Sequence, residues 1–324
     1  MYNTEELLKI TEDAIGSLPL GSEPQRLYEP IRYTMQAGGK RVRPLMLLLA
    51  ANIFSDEIKP FMPAAIGVEI FHNFTLLHDD IMDNSPTRRG RDTVHRKWNN
   101  NVAILSGDAM LIYAYKLILQ TQSQHLFRAM TSFNKLSLEL CEGQQYDMDF
   151  EQREIVTIDE YLNMIRLKTS VLIAGAMEMG AILGGASEED SRRVYEFGLN
   201  IGAAFQIQDD ILDLYATSDS FGKPIGGDIK EGKKSYIFLL CYKMASDADR
   251  KVLLDILHDR ALSDDHKIST IRAIYDRYHV KEAATLDAEN YFNRGIACLE
   301  MIGVDDVRKV EMIRYSQSLI RRIK

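Results

Sequence analysis

Only eight prolines occur in the 324 residues, and none lies between Pro86 and Pro224 or after Pro224. A proline in a helix interior costs roughly 3 kcal/mol, because it removes a backbone donor and its ring clashes with the preceding turn. Proline-free stretches of 137 and 100 residues therefore suit long helices. Apolar spacing agrees: Leu7, Ile10, Ala14 and Leu18, and later Val194, Phe197, Ile201 and Ala204, recur at steps of three and four. Alternating Val/Ile/Thr runs closed by Asn-Gly or Asp-Gly turns are nearly absent. The pattern predicts helices near 3–17, 24–37, 43–54, 61–84, 99–119, 124–150, 159–184, 188–216, 234–245, 249–258, 264–277, 280–301 and 304–322. No Gly/Ser-rich linker divides them, so the expectation is one all-α domain over residues 1–324.

Hydrophobic residues make up 46% and charged residues 27%, enough for a sizeable core and unlike disordered or collagenous chains. With 39 basic and 47 acidic residues the net charge is −8, which argues against a general grip on nucleic acid or anionic membrane. Any anionic ligand must be held by local basic clusters. Cys141, Cys241 and Cys298 are scattered and odd in number, which fits a reducing, cytoplasmic setting. The acidic, amphipathic N-terminus does not look like a leader peptide. Residues 45–51 are too few to span a bilayer, and 171–186 carries Glu178 and four glycines, so stable membrane insertion is not expected.

Two segments resemble each other: LLHDDIMD at 76–83 and IQDDILD at 207–213. Positions i and i+4 share a helix face, so Asp79 pairs with Asp83 and Asp209 with Asp213, while Asp80 and Asp210 sit one step round. Carboxylates among Leu, Ile and Met are costly unless a cation compensates. Two such sets favour a hard divalent ion such as Mg²⁺, which takes oxygen ligands, keeps waters and bridges carboxylates to a substrate phosphate. One set alone is as well explained by capping or solvated surface charges; the duplication weighs against that.

Three basic segments are candidates for the phosphate: GGKRVRP at 38–44, Arg88-Arg89-Gly90, and GKPIGGDIKEGKK at 222–234. Arginine offers forked contacts to phosphate and lysine a point charge. Each alone would more often be a solvated turn; proximity to the acidic sets singles them out. Gly227-x4-Gly232-Lys233 nearly matches a nucleotide-binding P-loop, but Lys234 stands where the hydroxyl residue belongs and no strand precedes it. His72 and His78-Asp79 hint at a helical metal phosphohydrolase, which would have no use for a second aspartate set. A packed core role for His78 is the simpler reading.

In order along the chain come GGKRVRP, His72 seven residues before Asp79, LLHDDIMD, PTRRG, EGQQYD (142–147), Lys168-Thr169, FQIQDDILD (205–213), Lys223 and GGDIKEGKKS (226–235). Over 38–235 this resembles the trans-type (head-to-tail) isoprenyl diphosphate synthases of the polyprenyl synthetase family. Ser235 stands where the family usually has Thr, and the last 80 or so residues carry no matching motif beyond a basic IRRIK tail.

The resemblance implies an isoprenoid-synthase helical bundle with a deep central cavity, and a homodimer. It implies that an allylic diphosphate binds between the two aspartate sets through Mg²⁺, about three ions per site with Mn²⁺ as a substitute. Asp79, Asp83 and Asp209 are then the direct ligands, and Asp80, Asp210 and Asp213 act through water. Arg88, Lys168, Lys223 and Lys233 stabilise the departing diphosphate. Gln206, Thr169 and the Lys168 carbonyl face the allylic carbocation. Isopentenyl diphosphate is held without metal by Lys40, Arg43, His72 and Arg89, with Phe205 against its double bond. A terpene cyclase would carry Asn/Ser/Glu in its second metal motif, and a non-catalytic partner subunit would have lost one aspartate set. Both sets are intact here. Product length rests on Phe71, Phe74 and Thr75 beneath the first set, where bulky aromatics imply short products; the expectation is C15–C20, geranylgeranyl diphosphate ahead of farnesyl diphosphate, with a longer-chain synthase as the alternative. The alternative for the two aromatics is ordinary core packing.

Overall fold

The computed structural model describes residues 1–216, 226–259 and 261–320. Lys223, one of the expected diphosphate contacts, and the end of the IRRIK tail lie outside them. In chain order the helices are α1 (Thr4–Gly16), α2 (Gln25–Met35), α3 (Val42–Phe54), α4 (Met62–Met82), α5 (Val94–Lys97), α6 (Asn100–Ile118), α7 (Leu126–Glu151) and α8 (Ile158–Ile165). They continue with α9 (Val171–Leu183), α10 (Glu188–Tyr215), α11 (Gly227–Lys230), α12 (Tyr236–Met244), α13 (Asp247–His258), α14 (Asp264–Arg277), α15 (Val280–Glu300) and α16 (Val310–Ile320). Helix ends follow local chemistry. Asn3 with Glu6, and Thr157 with Glu160, form reciprocal capping boxes, and Ser246 and Ser263 cap α13 and α14.

The all-α expectation holds, with local differences that include the short helices α5 and α11. The helix expected over 159–184 is broken by a π turn at Arg166–Ser170, which joins α8 to α9. A minimal antiparallel hairpin pairs β1 (Thr87–Arg88) with β2 (Arg91–Asp92). Its turn runs through Arg89 and Gly90, both at positive φ. Two-residue strands are too short to leave an alternating pattern.

The chain forms two compact units. The first comprises Met1–Asn134, Gly175–Tyr195 and Ile302–Met312, the second Lys135–Ala174, Glu196–Met301 and Ile313–Lys324. In the first, residues 45–51 of α3 are buried on every side, which explains an apolar run too short for a membrane. Gly180 of α9 and Gly184, just past its end, abut the backbone carbonyls of Leu47 and Ala51. The small-residue face of α9 is thus spent on packing within the chain. Among the described residues α6 is the one helix long and apolar enough to cross a membrane. It carries Asp108 and Lys116, packs against α2 and α4, and buries Ala103, Met110 and Ala114 there.

The second unit is built round Ile207, Ile211 and Leu214 of α10, Phe238 and Cys241 of α12, Leu253 of α13, Ile271 and Tyr275 of α14, and Ala284 of α15. Each large aliphatic side chain buried there is worth about 1.5–3 kcal/mol. This packing anchors the α10 turn that carries the second aspartate set.

Candidate active site

In the first unit, α4 ends at the first aspartate set. Asp83 caps the helix, its N–H donating to the Asp79 carbonyl at 2.8 Å. Asp80 points inward and is buried. Arg88 Nε donates to Asp80 Oδ1 at 2.6 Å, yet burial outweighs that partner and raises the Asp80 pKa. The hairpin turn places Arg89 back over the loop before α3, where a guanidinium N–H donates to the Gly38 carbonyl.

Lys40 is exposed and Arg43 half-buried at the start of α3. Arg41, from the same GGKRVRP segment, has a different role. Its side chain is buried, Nη1 donating to Glu69 Oε1 and Nε to Glu12 Oε1, both at 2.9 Å. That pairing locks α1, α3 and α4 together. His72 is buried on α4, and burial, reinforced by Arg43, Arg89, Arg88 and Arg41, drives its pKa well below the usual histidine range. The imidazole is therefore neutral at pH 7, inside a cluster of four arginines. Glu12, Glu69 and Asp80 answer part of that positive charge, and the remainder favours an anion.

Below Asp79, Thr75 donates to the His72 carbonyl at 2.8 Å. Phe71 packs on Phe74 and Phe133 at 5.6 and 5.0 Å between ring centroids, and Phe133 continues to Tyr115. Both expected chain-length aromatics belong to this four-ring cluster. His78 is half-buried, its Nε2 3.3 Å from the Ile104 carbonyl.

In the second unit, α10 carries Phe205, Gln206, Asp209, Asp210 and Asp213. Asp210 is buried and accepts from Tyr161 Oη at 2.7 Å, Gln206 Nε2 at 2.8 Å and the Tyr236 N–H at 2.8 Å. Burial nevertheless pushes its carboxyl up to about 6. Because the Gln206 amide nitrogen is committed to Asp210, the electronegative amide oxygen is the end left for a substrate. The Asp213 side chain accepts from the Asp228 N–H at 3.1 Å. Burial, with Asp210 and Asp213 nearby, lifts Asp228 to about 7. Lys168 and Thr169 sit in the π turn, with Lys168 Nζ 2.5 Å from Asp147 Oδ2. Lys233 is exposed and pairs with Glu231 at 2.6 Å.

Among the described residues no three His, Cys, Asp or Glu side chains already gather into a metal cage. The donor chemistry still suits one class of ion. Asp79 with Asp83, and Asp209 with Asp213, are oxygen-only pairs one helical turn apart, as Mg²⁺ requires when waters and substrate phosphates complete its sphere.

Residues 24–275 match the family model for polyprenyl synthetase. The chain belongs to the polyprenyl synthetase family. It is 43% identical over 238 residues to the geranylgeranyl diphosphate synthase of Methanosarcina mazei, covering 73% of this chain and 74% of that one. Against the geranylgeranyl diphosphate synthase of Sulfolobus acidocaldarius it is 35% identical over 98% of this chain and 97% of the other. A solved geranylgeranyl pyrophosphate synthase superposes with a TM-score of 0.94 at 38% identity, covering 100% of both chains.

Of the expected diphosphate contacts, Lys40, Arg43, His72, Arg88 and Arg89 lie in the first unit, and Lys168 and Lys233 in the second. Three supporting residues were not anticipated. Tyr161 holds Asp210 and left no motif. Asp147 and Asp228 lay inside quoted motifs, but nothing in the sequence said what they touch.

Proposed function

We propose that this polyprenyl synthetase condenses isopentenyl diphosphate with an allylic diphosphate, acting as a short-chain trans-prenyltransferase with residues 1–324 working as one synthase domain. The observation that carries this is the buried His72, with Arg43, Arg88 and Arg89 near it, on the same helix as the first aspartate set. A chain with a metal-free anion site beside carboxylates suited to metal is equipped for two diphosphates bound in different ways.

Asp79, Asp83 and Asp209 are the direct ligands for Mg²⁺ in this reading, about three ions per site with Mn²⁺ as a substitute, and Asp80, Asp210 and Asp213 act through water. Bound Mg²⁺ supplies positive charge that stabilises the departing diphosphate. Arg88, Lys168, Lys223 and Lys233 add fixed positive charge at the same oxygens, which is electrostatic stabilisation of charge as it develops. When the allylic C–O bond breaks, the Gln206 amide oxygen, Thr169 Oγ1 and the Lys168 carbonyl present negative dipoles to the carbocation.

Lys40, Arg43, His72 and Arg89 hold isopentenyl diphosphate, and Phe205 packs on its double bond. The π electrons form the new C–C bond, and the released diphosphate takes the proton that restores an allylic product. No protein nucleophile is needed. The product is a C15–C20 diphosphate, geranylgeranyl diphosphate foremost.

The free thiols Cys141, Cys241 and Cys298 suit a cytoplasmic enzyme. We assign a homodimer to the exposed apolar stripe of α6, where Leu105 and Ile112 are 60% and 69% exposed and Leu119 follows at the same spacing. Incubation with radiolabelled isopentenyl diphosphate and each allylic primer tests the reading. Chain elongation supports it; a cyclised hydrocarbon, or no transfer with any primer, overturns it.

A further inference from the structure

The π turn at Arg166–Ser170 is gripped from two sides inside the second unit. On α7, Gly143 abuts the Leu167–Lys168 peptide so closely that a Cβ there would stand 2.6 Å from the Leu167 carbonyl carbon. On α10, a Cβ at Gly202 would stand 2.7 Å from Cα, Cβ and Oγ of Ser170. Those separations are too short for carbon atoms, and most of the opposing atoms are backbone or held to it. An alanine at either place must push the π turn away.

Each glycine also lies one helical turn before a polar side chain on the same face. Gly143 precedes Asp147, whose carboxylate takes the Lys168 ammonium at 2.5 Å. Gly202 precedes Gln206, tied to Asp210 at 2.8 Å. The turn itself is wide, the Val171 N–H reaching back to the Arg166 carbonyl five residues earlier. Single π turns inside helices interrupt the regular hydrogen-bond ladder and are frequent at functional sites.

We propose that Gly143, Gly202 and Asp147 are positioning residues for catalysis: the glycines fix where the π turn sits, and Asp147 fixes where the Lys168 ammonium sits. None of the three touches substrate. They act through Lys168 and Thr169, so the proposal rests on the prenyltransferase reading above.

Steady-state kinetics with dimethylallyl and isopentenyl diphosphates test it, using Gly143→Ala, Gly202→Ala, Asp147→Asn, Lys168→Ala and the double variant Asp147→Asn/Lys168→Ala. Misplacing a catalytic group by about 1 Å costs on the order of 100-fold, so either alanine variant should lose kcat by that order while the isopentenyl diphosphate KM stays within about threefold. Asp147→Asn should lower kcat/KM for the allylic diphosphate, and adding it to Lys168→Ala should change nothing further, as coupling through one group requires. Additive losses in the double variant, or wild-type kcat in both alanine variants, would overturn the proposal. Amide hydrogen exchange of residues 166–171 without substrate gives a second readout: faster exchange in Gly143→Ala supports the clamp, and unchanged protection refutes it. If instead the unmodified enzyme transfers no isopentenyl group, it is the prenyltransferase reading that fails, and the exchange result still judges the clamp.

Discussion

The Tyr161 phenol donates to Asp210 Oδ2 at 2.7 Å, so the middle aspartate of the second set is held in place by the protein itself. Gln206 and the Tyr236 N–H complete that carboxylate's shell. The first set repeats the arrangement with different chemistry, Arg88 taking Asp80 at 2.6 Å. In each unit the inward aspartate is tied to the protein itself, Asp80 by a guanidinium and Asp210 by a phenol, an amide and a backbone N–H.

Carboxyls raised by burial make the metal-free protein sensitive to pH. Asp228 is lifted to about 7 from the 3.8 of an exposed aspartate, so the folded state holds its proton more tightly than the unfolded chain. The stability this contributes is fully present below about pH 4 and is lost as pH rises toward 7. Asp228→Asn cannot titrate. Its advantage over the parent in unfolding free energy, read from urea titrations, should therefore grow between pH 4 and 7, by at most about 1.4 kcal/mol per pH unit, and then level off. A difference independent of pH would show that Asp228 is not the group responsible.

Much of this was legible in the sequence because helix formation leaves periodic traces and proline gaps. What stayed hidden is what periodicity cannot carry. The π turn is one extra residue in a helical ladder, so 159–184 looked like a single helix. GGKRVRP presents three cations, but only the fold shows that Arg41 turns inward to Glu69 and Glu12. The glycines within 171–186 argued against a membrane span, yet glycine spacing does not name a packing partner. Here it is α3. Tyr161 and Asp210 are 49 residues apart, a pairing without any local signature.

Removing either first carboxylate of the aspartate sets should stop turnover without unfolding the protein. Asp79→Ala and Asp209→Ala delete like charges from sites that need metal to balance them, so their melting temperatures should match or exceed the parent's. Turnover should fall by orders of magnitude, and excess chelator should do the same to the unmodified enzyme. Parent-like activity in either variant, or full activity in chelator, contradicts the ligand assignment.

Arg88 and Arg89 adjoin in sequence and should separate in kinetics. On the proposed division Arg89→Ala removes a contact to isopentenyl diphosphate, and losing a charged hydrogen-bonding partner costs roughly 1.5–3 kcal/mol, or about 10- to 150-fold in that substrate's KM. Arg88→Ala should weaken handling of the allylic substrate instead. It should also lower stability, because Asp80 stays buried without its guanidinium. Identical kinetic profiles would mean that the two diphosphate sites are wrongly divided.

The α6 stripe makes the assembly testable by one charge. Ile112→Glu places a carboxylate at an exposed position, so the monomer's fold should tolerate it. Light scattering at micromolar concentration should then report a dimer for the parent and a monomer for the variant. A parent monomer would refute the assignment.

If product length is set beneath the first aspartate set, it depends on how firmly the rings there are held. Phe71 is buried against Phe133, which leans on Tyr115 in turn, so Phe71→Ala should cost about 3–5 kcal/mol as a core truncation. Phe74 is only half-buried and touches Phe71 and His78, so Phe74→Ala opens the same region at less cost and is the cleaner probe. If growing chains are stopped by these rings, the unmodified enzyme yields mainly C20 alcohols after dephosphorylation and chromatography. Both variants then shift the distribution beyond C20 while still consuming isopentenyl diphosphate, because neither ring belongs to the diphosphate machinery. Dominant C30 or longer products from the unmodified enzyme, or an unshifted distribution in both variants, would place the floor elsewhere and return Phe71 and Phe74 to a purely packing role.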